Sequence, residues 1–279
     1  VASDFDITPT DGPLGAYVGR WSAGKELDAD AVRTLREALW TYSVLILRDK
    51  KLTESEQVAF SRMFCDPIPH PANQSHVGSL PEITLISNVK KDGRVIGALG
   101  HNEVLFHSDL TFRHEPGTVS TLFSVETPVV GGETSWSSGY VAYDALDEEA
   151  RERFQALRIV YTHVIEAYRP EKPAVHPLVV THPDSGRKSL YFSASHAVRV
   201  ADASEEESQE TIDFLIAHTA DERFIWTHAW WPGDLAVWDN RCAQHRRNEF
   251  DPNARRIMRR TQAVGSIDEP AADTHREAL

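Results

Sequence analysis

Phe106-His107-Ser108-Asp109-Leu110-Thr111-Phe112 places an imidazole and a carboxylate two residues apart in a largely apolar stretch. On a strand, residues i and i+2 share one face, so His107 and Asp109 could hold one ion together. A second imidazole, His245, follows far downstream, beyond Trp238-Asp239-Asn240-Arg241 and in what reads as a turn. Two imidazoles and one carboxylate can bind one face of a non-haem Fe(II) ion and leave the other face open. A lone His-x-Asp is weak in a chain with 13 histidines, and by itself His107 would read as a hydrogen-bonded strand histidine. The downstream arginines add context: Arg256 and Arg260 stand four residues apart, on one face if their segment is a strand. His218 and His228 read as structural histidines.

Working outward, the chain begins with helices and then turns to short strands. Leu27 to Tyr42 carries Val32, Leu35, Ala38, Leu39 and Tyr42 at helical spacing, with Asp28 or Asp30 as a cap. Ser43 to Leu47 reads as a strand, and Thr53 to Phe64 as a helix opened by the capping box Thr53-Glu54-Ser55-Glu56. Expected strands follow at 82–88, 118–126, 158–163, 174–182, 188–193, 224–230, 235–239 and 256–264. Pro183-Asp184-Ser185-Gly186 and Trp231-Pro232-Gly233-Asp234 mark turns, and helices are expected near 139–156 and 204–220. The outline is mainly β with flanking helices, an α+β sandwich or barrel. We expect one domain over residues 1–279, with 1–66 packed on the barrel and a frayed tail at 267–279.

Composition narrows the class. At 279 residues, 41% hydrophobic and 25% charged, the chain is ordinary for a globular protein. A net charge of -13 argues against a nucleic-acid partner. No apolar run is long enough to span a bilayer. No secretory leader is evident, and Cys65 and Cys242 are too few for a disulfide framework, so a cytoplasmic setting is expected. Within this acidic chain, basic residues concentrate at Arg241, Arg246, Arg247, Arg255, Arg256, Arg259 and Arg260, either on a solvated strand face or in a pocket for small anions.

With those residues in view, the sequence resembles the Fe(II)/2-oxoglutarate-dependent dioxygenases of the taurine dioxygenase and 2,4-dichlorophenoxyacetate dioxygenase type. The matching stretches are His70-Pro71, Phe106 to Phe112, Gly131-Gly132-Glu133-Thr134-Ser135-Trp136, His176 to Pro183, Trp238 to Arg241 with His245, and Arg255 to Arg260. They run in family order over nearly the whole chain. The resemblance implies a double-stranded β-helix, or jelly roll. It implies His107, Asp109 and His245 as iron ligands, Thr134 and Arg256 as holders of the distal carboxylate of 2-oxoglutarate, and Arg260 near both that cosubstrate and the substrate anion. His70 and the backbone N–H of Leu110 match groups that receive the substrate's anionic head. Arginine suits a buried carboxylate because it donates in a bidentate fork.

Departures from the taurine enzyme fall at Asn73, Glu103, His163 and His196, which we take as candidate substrate contacts; Glu103 could pair with an amine, but a solvated carboxylate is the favoured reading. Asp109 argues for hydroxylation, since related halogenases replace this carboxylate with a small residue. Trp136, Phe106 and Phe112 are either walls of a dry site or plain core aromatics.

The implied activity is hydroxylation of a C–H in a small organic anion, using Fe(II), 2-oxoglutarate and O2 and releasing succinate and CO2. The anion would be a sulfonate, a sulfate ester or an aryloxyalkanoate. Alternatives are a hydroxylase or desaturase of an amino acid or natural-product intermediate, a zinc hydrolase or 2-oxoglutarate-independent dioxygenase on the same barrel, and a non-catalytic anion-binding barrel. A homo-oligomer is expected.

Overall fold

The computed structural model describes residues 5–69 and 80–267. Along the chain run β1 (Asp6–Pro9), β2 (Ala16–Gly19), α1 (Ala29–Tyr42), β3 (Val44–Leu47) and α2 (Glu54–Arg62). Then come β4 (Thr84–Ser87), β5 (Lys90–Lys91), β6 (Arg94–Val95), β7 (Val104–His107), β8 (Gly117–Glu126) and β9 (Thr134–Ser138). The middle holds α3 (Gly139–Asp144), α4 (Glu148–Gln155), β10 (Arg158–Tyr161), β11 (Ala174–Pro177), β12 (Val179–Thr181), β13 (Lys188–Leu190) and β14 (Ala197–Val200). The chain continues with α5 (Glu205–Thr219), β15 (Ile225–His228), β16 (Leu235–Asp239), β17 (Ala243–Arg247) and β18 (Ile257–Val264).

Two sheets carry the architecture. The larger has seven strands in the order β1-β2-β3-β16-β8-β18-β4, and the smaller four in the order β15-β9-β17-β7. Period-2 alternation decides what each face buries. In β3 and β16, Leu45, Leu47, Leu235 and Val237 pack with Leu35 and Leu39 of α1 and Phe60 of α2. Val44, Ile46, Ala236 and Trp238 point the other way, joining Trp136 of β9, Trp226 of β15 and Ala243 of β17. Helices therefore cover one face of the large sheet, and the small sheet covers the other. A third apolar cluster joins α3, α4 and α5 to β10, β12, β13 and β14.

Most expected elements are present, and the differences have local causes. Asp28 caps α1 by accepting from the Ala31 N–H at 2.8 Å. The capping box of Thr53 and Glu56 opens α2. The helix expected over 139–156 is two: Asp147 accepts from the Ala150 N–H and starts α4 afresh. The strand expected over 174–182 breaks at Leu178. That buried residue donates its N–H to Leu157 O and accepts from Tyr191 N, while Pro177 has no N–H to carry a ladder onward. Residues 6–47 contribute three strands to the large sheet itself. His245, expected in a turn, lies within β17. Among the described residues, no helix is long and apolar enough to cross a membrane.

Candidate metal centre and cosubstrate cleft

Strand pairing brings the two distant histidines together. β17 lies between β9 and β7, and His245 sits opposite Trp136 on one side and His107 on the other. Directly opposed residues project from the same face of a sheet, and the imidazole centroids are 4.1 Å apart. Asp109 does not sit on the strand. β7 ends at His107, and Asp109 opens the turn that follows. That turn closes when the Gly117 N–H donates to Asp109 O at 3.1 Å. A Cβ at Gly117 would lie 2.6 Å from the same oxygen, so only glycine permits the approach. Leu110 takes a left-handed φ of 56°, at a strain of about 1–2 kcal/mol for a side-chain-bearing residue. The turn, rather than a shared strand face, aims Asp109 at the histidines.

The three side chains are buried, and one ligand atom from each lies within 4.8 Å of the others. Both His107 Nε2 and His245 Nε2 are 3.9 Å from Asp109 Oδ1. His107 Nδ1 donates to Leu105 O at 2.8 Å, because a carbonyl can only accept. Its Nε2 therefore presents a lone pair to the centre, the form a metal needs. Burial, then the neighbouring His107, pushes His245 down to about 3, and burial lowers His107 too, so both rings are neutral. Burial alone would raise the Asp109 carboxyl, but the Arg260 guanidinium foremost, together with the Ser120 hydroxyl, outweighs it and holds it below the usual carboxylate range. Two neutral imidazoles and an ionised carboxylate fit a divalent ion.

A cleft runs between the sheets from this centre. His107, His245, Thr134, Arg247, Arg256 and Arg260 supply its polar lining, and Ile86, Leu122 and Trp238 its apolar walls. Arg256 is 2% exposed, yet its guanidinium meets no acceptor among the described residues. Burial, and then Arg247, lower it to about 9. A buried cation without a counter-charge is costly, so this position calls for an anion. Thr134 accepts from Trp230 Nε1 at 2.9 Å, which leaves its own hydroxyl hydrogen to donate. Arg260 Nη1 lies 3.4 Å from Asp109 Oδ1 and links the cleft to the centre.

Beside His107 stands an aromatic group. The His196 ring is 6.1 Å from that of His107, His163 is 5.3 Å behind His196, and Phe112 touches both. Thr111 and Ser193 hydroxyls fix His196 through Nδ1. Phe112 is thus at the site, whereas Trp136 belongs to the core between the sheets. Phe106 is buried beneath Arg246 and does not line the cleft. Glu103 is exposed and does not line it either; Leu99 and Val104 do. His70 and Asn73 lie outside the described residues. His218 Nε2 donates to Ala142 O, and His228 pairs with Asp234, both away from the cleft.

Sequence reasoning gave no role to Ser120, Asn240 and Trp230, and named Arg247 only as one of a basic cluster that could form an anion pocket. Arg247 follows His245 by two residues on β17 and so shares its face. Reading His245 as a turn residue hid only that the two share one strand face.

A mainly β frame that holds two neutral imidazoles and one ionised carboxylate around an open position is the setting of a non-haem Fe(II) oxygenase. Residues 4–262 match the family described as taurine catabolism dioxygenase TauD, TfdA family. The chain belongs to that family and is an Fe(II)/2-oxoglutarate-dependent dioxygenase that uses O2. It is similar to pentalenolactone F synthase of Streptomyces arenae, with 35% identity over 98% of this chain and 99% of that protein. It is 33% identical to the alpha-ketoglutarate-dependent 2,4-dichlorophenoxyacetate dioxygenase of Cupriavidus pinatubonensis, over 85% of this chain and 90% of that one. Among solved structures, a taurine dioxygenase from Burkholderia xenovorans superposes with a TM-score of 0.81 at 28% identity, covering 94% of this chain and 92% of that one.

Proposed function

We propose that the protein hydroxylates a C–H of a small organic anion, a sulfonate, sulfate ester or aryloxyalkanoate, in a double-stranded β-helix formed by the two facing sheets as one domain. The observation that carries the reading is Arg256, a buried guanidinium lacking an acceptor among the described residues, in the same cleft as the His107, Asp109 and His245 cluster. His107, Asp109 and His245 would hold Fe(II), and Arg256 with Thr134 would hold the far carboxylate of 2-oxoglutarate. The bound iron with 2-oxoglutarate supplies the oxidant, with succinate and CO2 as co-products.

The chain's own residues do the rest. Arg256 and Thr134 fix the cosubstrate's orientation, and Ile86, Leu122 and Trp238 keep the cleft dry. Arg260, between Asp109 and the cleft, is placed to meet a substrate anion, with His70 and the Leu110 N–H as further donors. Burial, then His107 and His163, lower His196 to about 3, and His163 is lowered by burial. Both rings are thus neutral walls that with Phe112 suit an apolar or aromatic body behind the anionic head. Asn73 is kept as a substrate contact of this reading on sequence grounds alone, and Glu103 is exposed. Homo-oligomer formation and a cytoplasmic setting belong to the same reading; the free thiols of Cys65 and Cys242 support the latter.

A second reading has its own support. The 35% identity to pentalenolactone F synthase extends over nearly all of both chains. It favours oxidation of a natural-product intermediate at the same centre. One experiment separates the two: succinate release scored over sulfonates, alkyl sulfates, phenoxyacids, amino acids and natural-product lactones. Anaerobic addition of Fe(II) and 2-oxoglutarate should first give a metal-to-ligand charge-transfer band, and its absence from reconstituted protein would sink both readings.

A further inference from the structure

Asp109 is held by more than its turn. Ser120 Oγ lies 2.7 Å from Asp109 Oδ2, Asn240 Nδ2 lies 2.9 Å from Ser120 Oγ, and Asn240 Oδ1 accepts from the Asp109 N–H at 3.1 Å. The direction of each bond follows from the partners. The Asp109 N–H and Trp238 Nε1–H can only donate, and both point at one oxygen of Asn240, the latter at 3.0 Å. That fixes the amide: its oxygen faces those donors and its nitrogen faces Ser120. Ser120 Oγ then receives a hydrogen from Asn240, so its single hydrogen goes to Asp109 Oδ2. All three residues are buried, with Asn240 and Ser120 each 1% exposed. Water cannot substitute for a missing member at no cost.

We propose that Ser120 and Asn240 are positioning residues that make Asp109 a one-oxygen metal ligand. The hydroxyl engages Oδ2, leaving Oδ1 as the oxygen that faces His107 Nε2 and His245 Nε2, each 3.9 Å away. Asn240 also connects this carboxylate to the second histidine. It anchors the indole of Trp238, whose ring lies 4.7 Å from that of His245. One amide thus sets the directions of two prospective ligands that the chain places 136 residues apart (245 − 109). Hydrogen-bonded ligands keep their orientation and lose less freedom when the ion arrives. Engaging one carboxylate oxygen also preserves an open position for cosubstrate and oxygen. The inference rests on the reading of His107, Asp109 and His245 as the metal site.

The test uses Mn(II) with the metal-free full chain, so it requires no turnover. Mn(II) affinity is measured by the loss of the free-ion magnetic resonance signal, alongside thermal unfolding of each metal-free variant. Ser120→Ala should weaken Mn(II) binding by about 10–100-fold, with Ser120→Thr restoring most of it. Asn240→Asp should weaken binding at least as much, because a carboxylate cannot donate to Ser120. Wild-type affinity in a folded Ser120→Ala variant would overturn the proposal. So would an equal loss in Ser120→Thr, which would show that the hydroxyl is not what matters. Failure of the wild-type chain to bind Mn(II) would instead strike the metal-site reading itself.

Discussion

Among the described residues, two buried clusters offer side chains that could together hold one metal ion. One is His107, Asp109 and His245; the other is His182, Asp239 and Cys242, close behind it at the end of β16. Residue type and burial hardly separate them. Their surroundings do. Asp239 is closely paired, since Arg241 reaches it at 2.6 Å and reaches Asp184 at 3.2 Å, whereas Arg260 comes only within 3.4 Å of Asp109. His182 Nε2 donates to Asp239 Oδ2 at 3.0 Å, and its Nδ1 accepts from the Asp184 and Ser185 N–H groups. Burial, then Asp239, push the Cys242 thiol up to about 12, so it is not a thiolate ligand. That cluster is closed. At the first, two neutral imidazole nitrogens converge on one carboxylate oxygen, and farther along the cleft Arg256 has no counter-charge among the described residues. A place for a ligand is recognised by charge and lone pairs left uncompensated, more than by the identity of the side chains.

The comparison breaks most sharply on substitution. Asp109→Ala should drop succinate release to the no-enzyme background while the metal-free chain stays folded. An active Asp109→Ala would remove the centre from the mechanism. Arg241→Ala should act on stability, by about 3–5 kcal/mol in denaturant unfolding, since it strands buried Asp239. A small loss there, with a large loss of metal affinity, would mean that the second cluster is the functional one.

How far this contrast was visible beforehand differs between the clusters. His107, Asp109, His245, Thr134 and Arg256 were legible because family-ordered motifs carry them. The architecture was legible where a compact apolar run follows a turn signal, as in β16, Leu-Ala-Val-Trp-Asp after Trp231-Pro232-Gly233-Asp234, whose two faces feed separate cores. It was not legible in β9 and β17. β9 reads Thr-Ser-Trp-Ser-Ser and β17 Ala-Gln-His-Arg-Arg, polar strands whose inner face lines a cleft and so lacks an apolar period. The closed cluster was invisible as a unit, because Asp184, on a hairpin turn, meets Arg241 only through tertiary folding. Ser120 and Asn240 were hidden for the same reason.

Arg256 gives an intermediate effect and a sign that separates a ligand site from a structural one. Arg256→Met should weaken 2-oxoglutarate binding by about 2–3 kcal/mol, the scale for removing one partner of a buried charge pair, and leave Mn(II) affinity within a few-fold. Met also removes a desolvated cation, so the cosubstrate-free variant should melt no lower than the parent. A lower melting temperature with unchanged 2-oxoglutarate binding would place Arg256 with Arg241, as structural.

The smallest expected effect is in the response to acid. His245 and His196 are lowered to about 3 from an ordinary 6.5, first by burial and then by His107. Each contributes stability that is present above pH 6.5 and is lost as pH falls toward the folded value, because the unfolded chain then binds protons that the fold refuses. The slope is up to about 1.4 kcal/mol per pH unit for each ring. Asp239 is different: burial would raise it, but Arg241 and His182 hold it below the ordinary 3.8, so its contribution is lost only as pH falls through and below that range. Metal-free protein should therefore lose stability in two stages, the open cluster first and the closed one later. Saturating Mn(II) should raise stability throughout without flattening the first stage, and should carry the His245 share of that loss to lower pH, since an ion on His245 keeps the fold from taking up the proton that the unfolded chain binds. Urea unfolding at stepped pH, with and without Mn(II), measures both stages. A single stage confined to the carboxylate range would mean that the histidines of the open cluster are not held neutral by the fold.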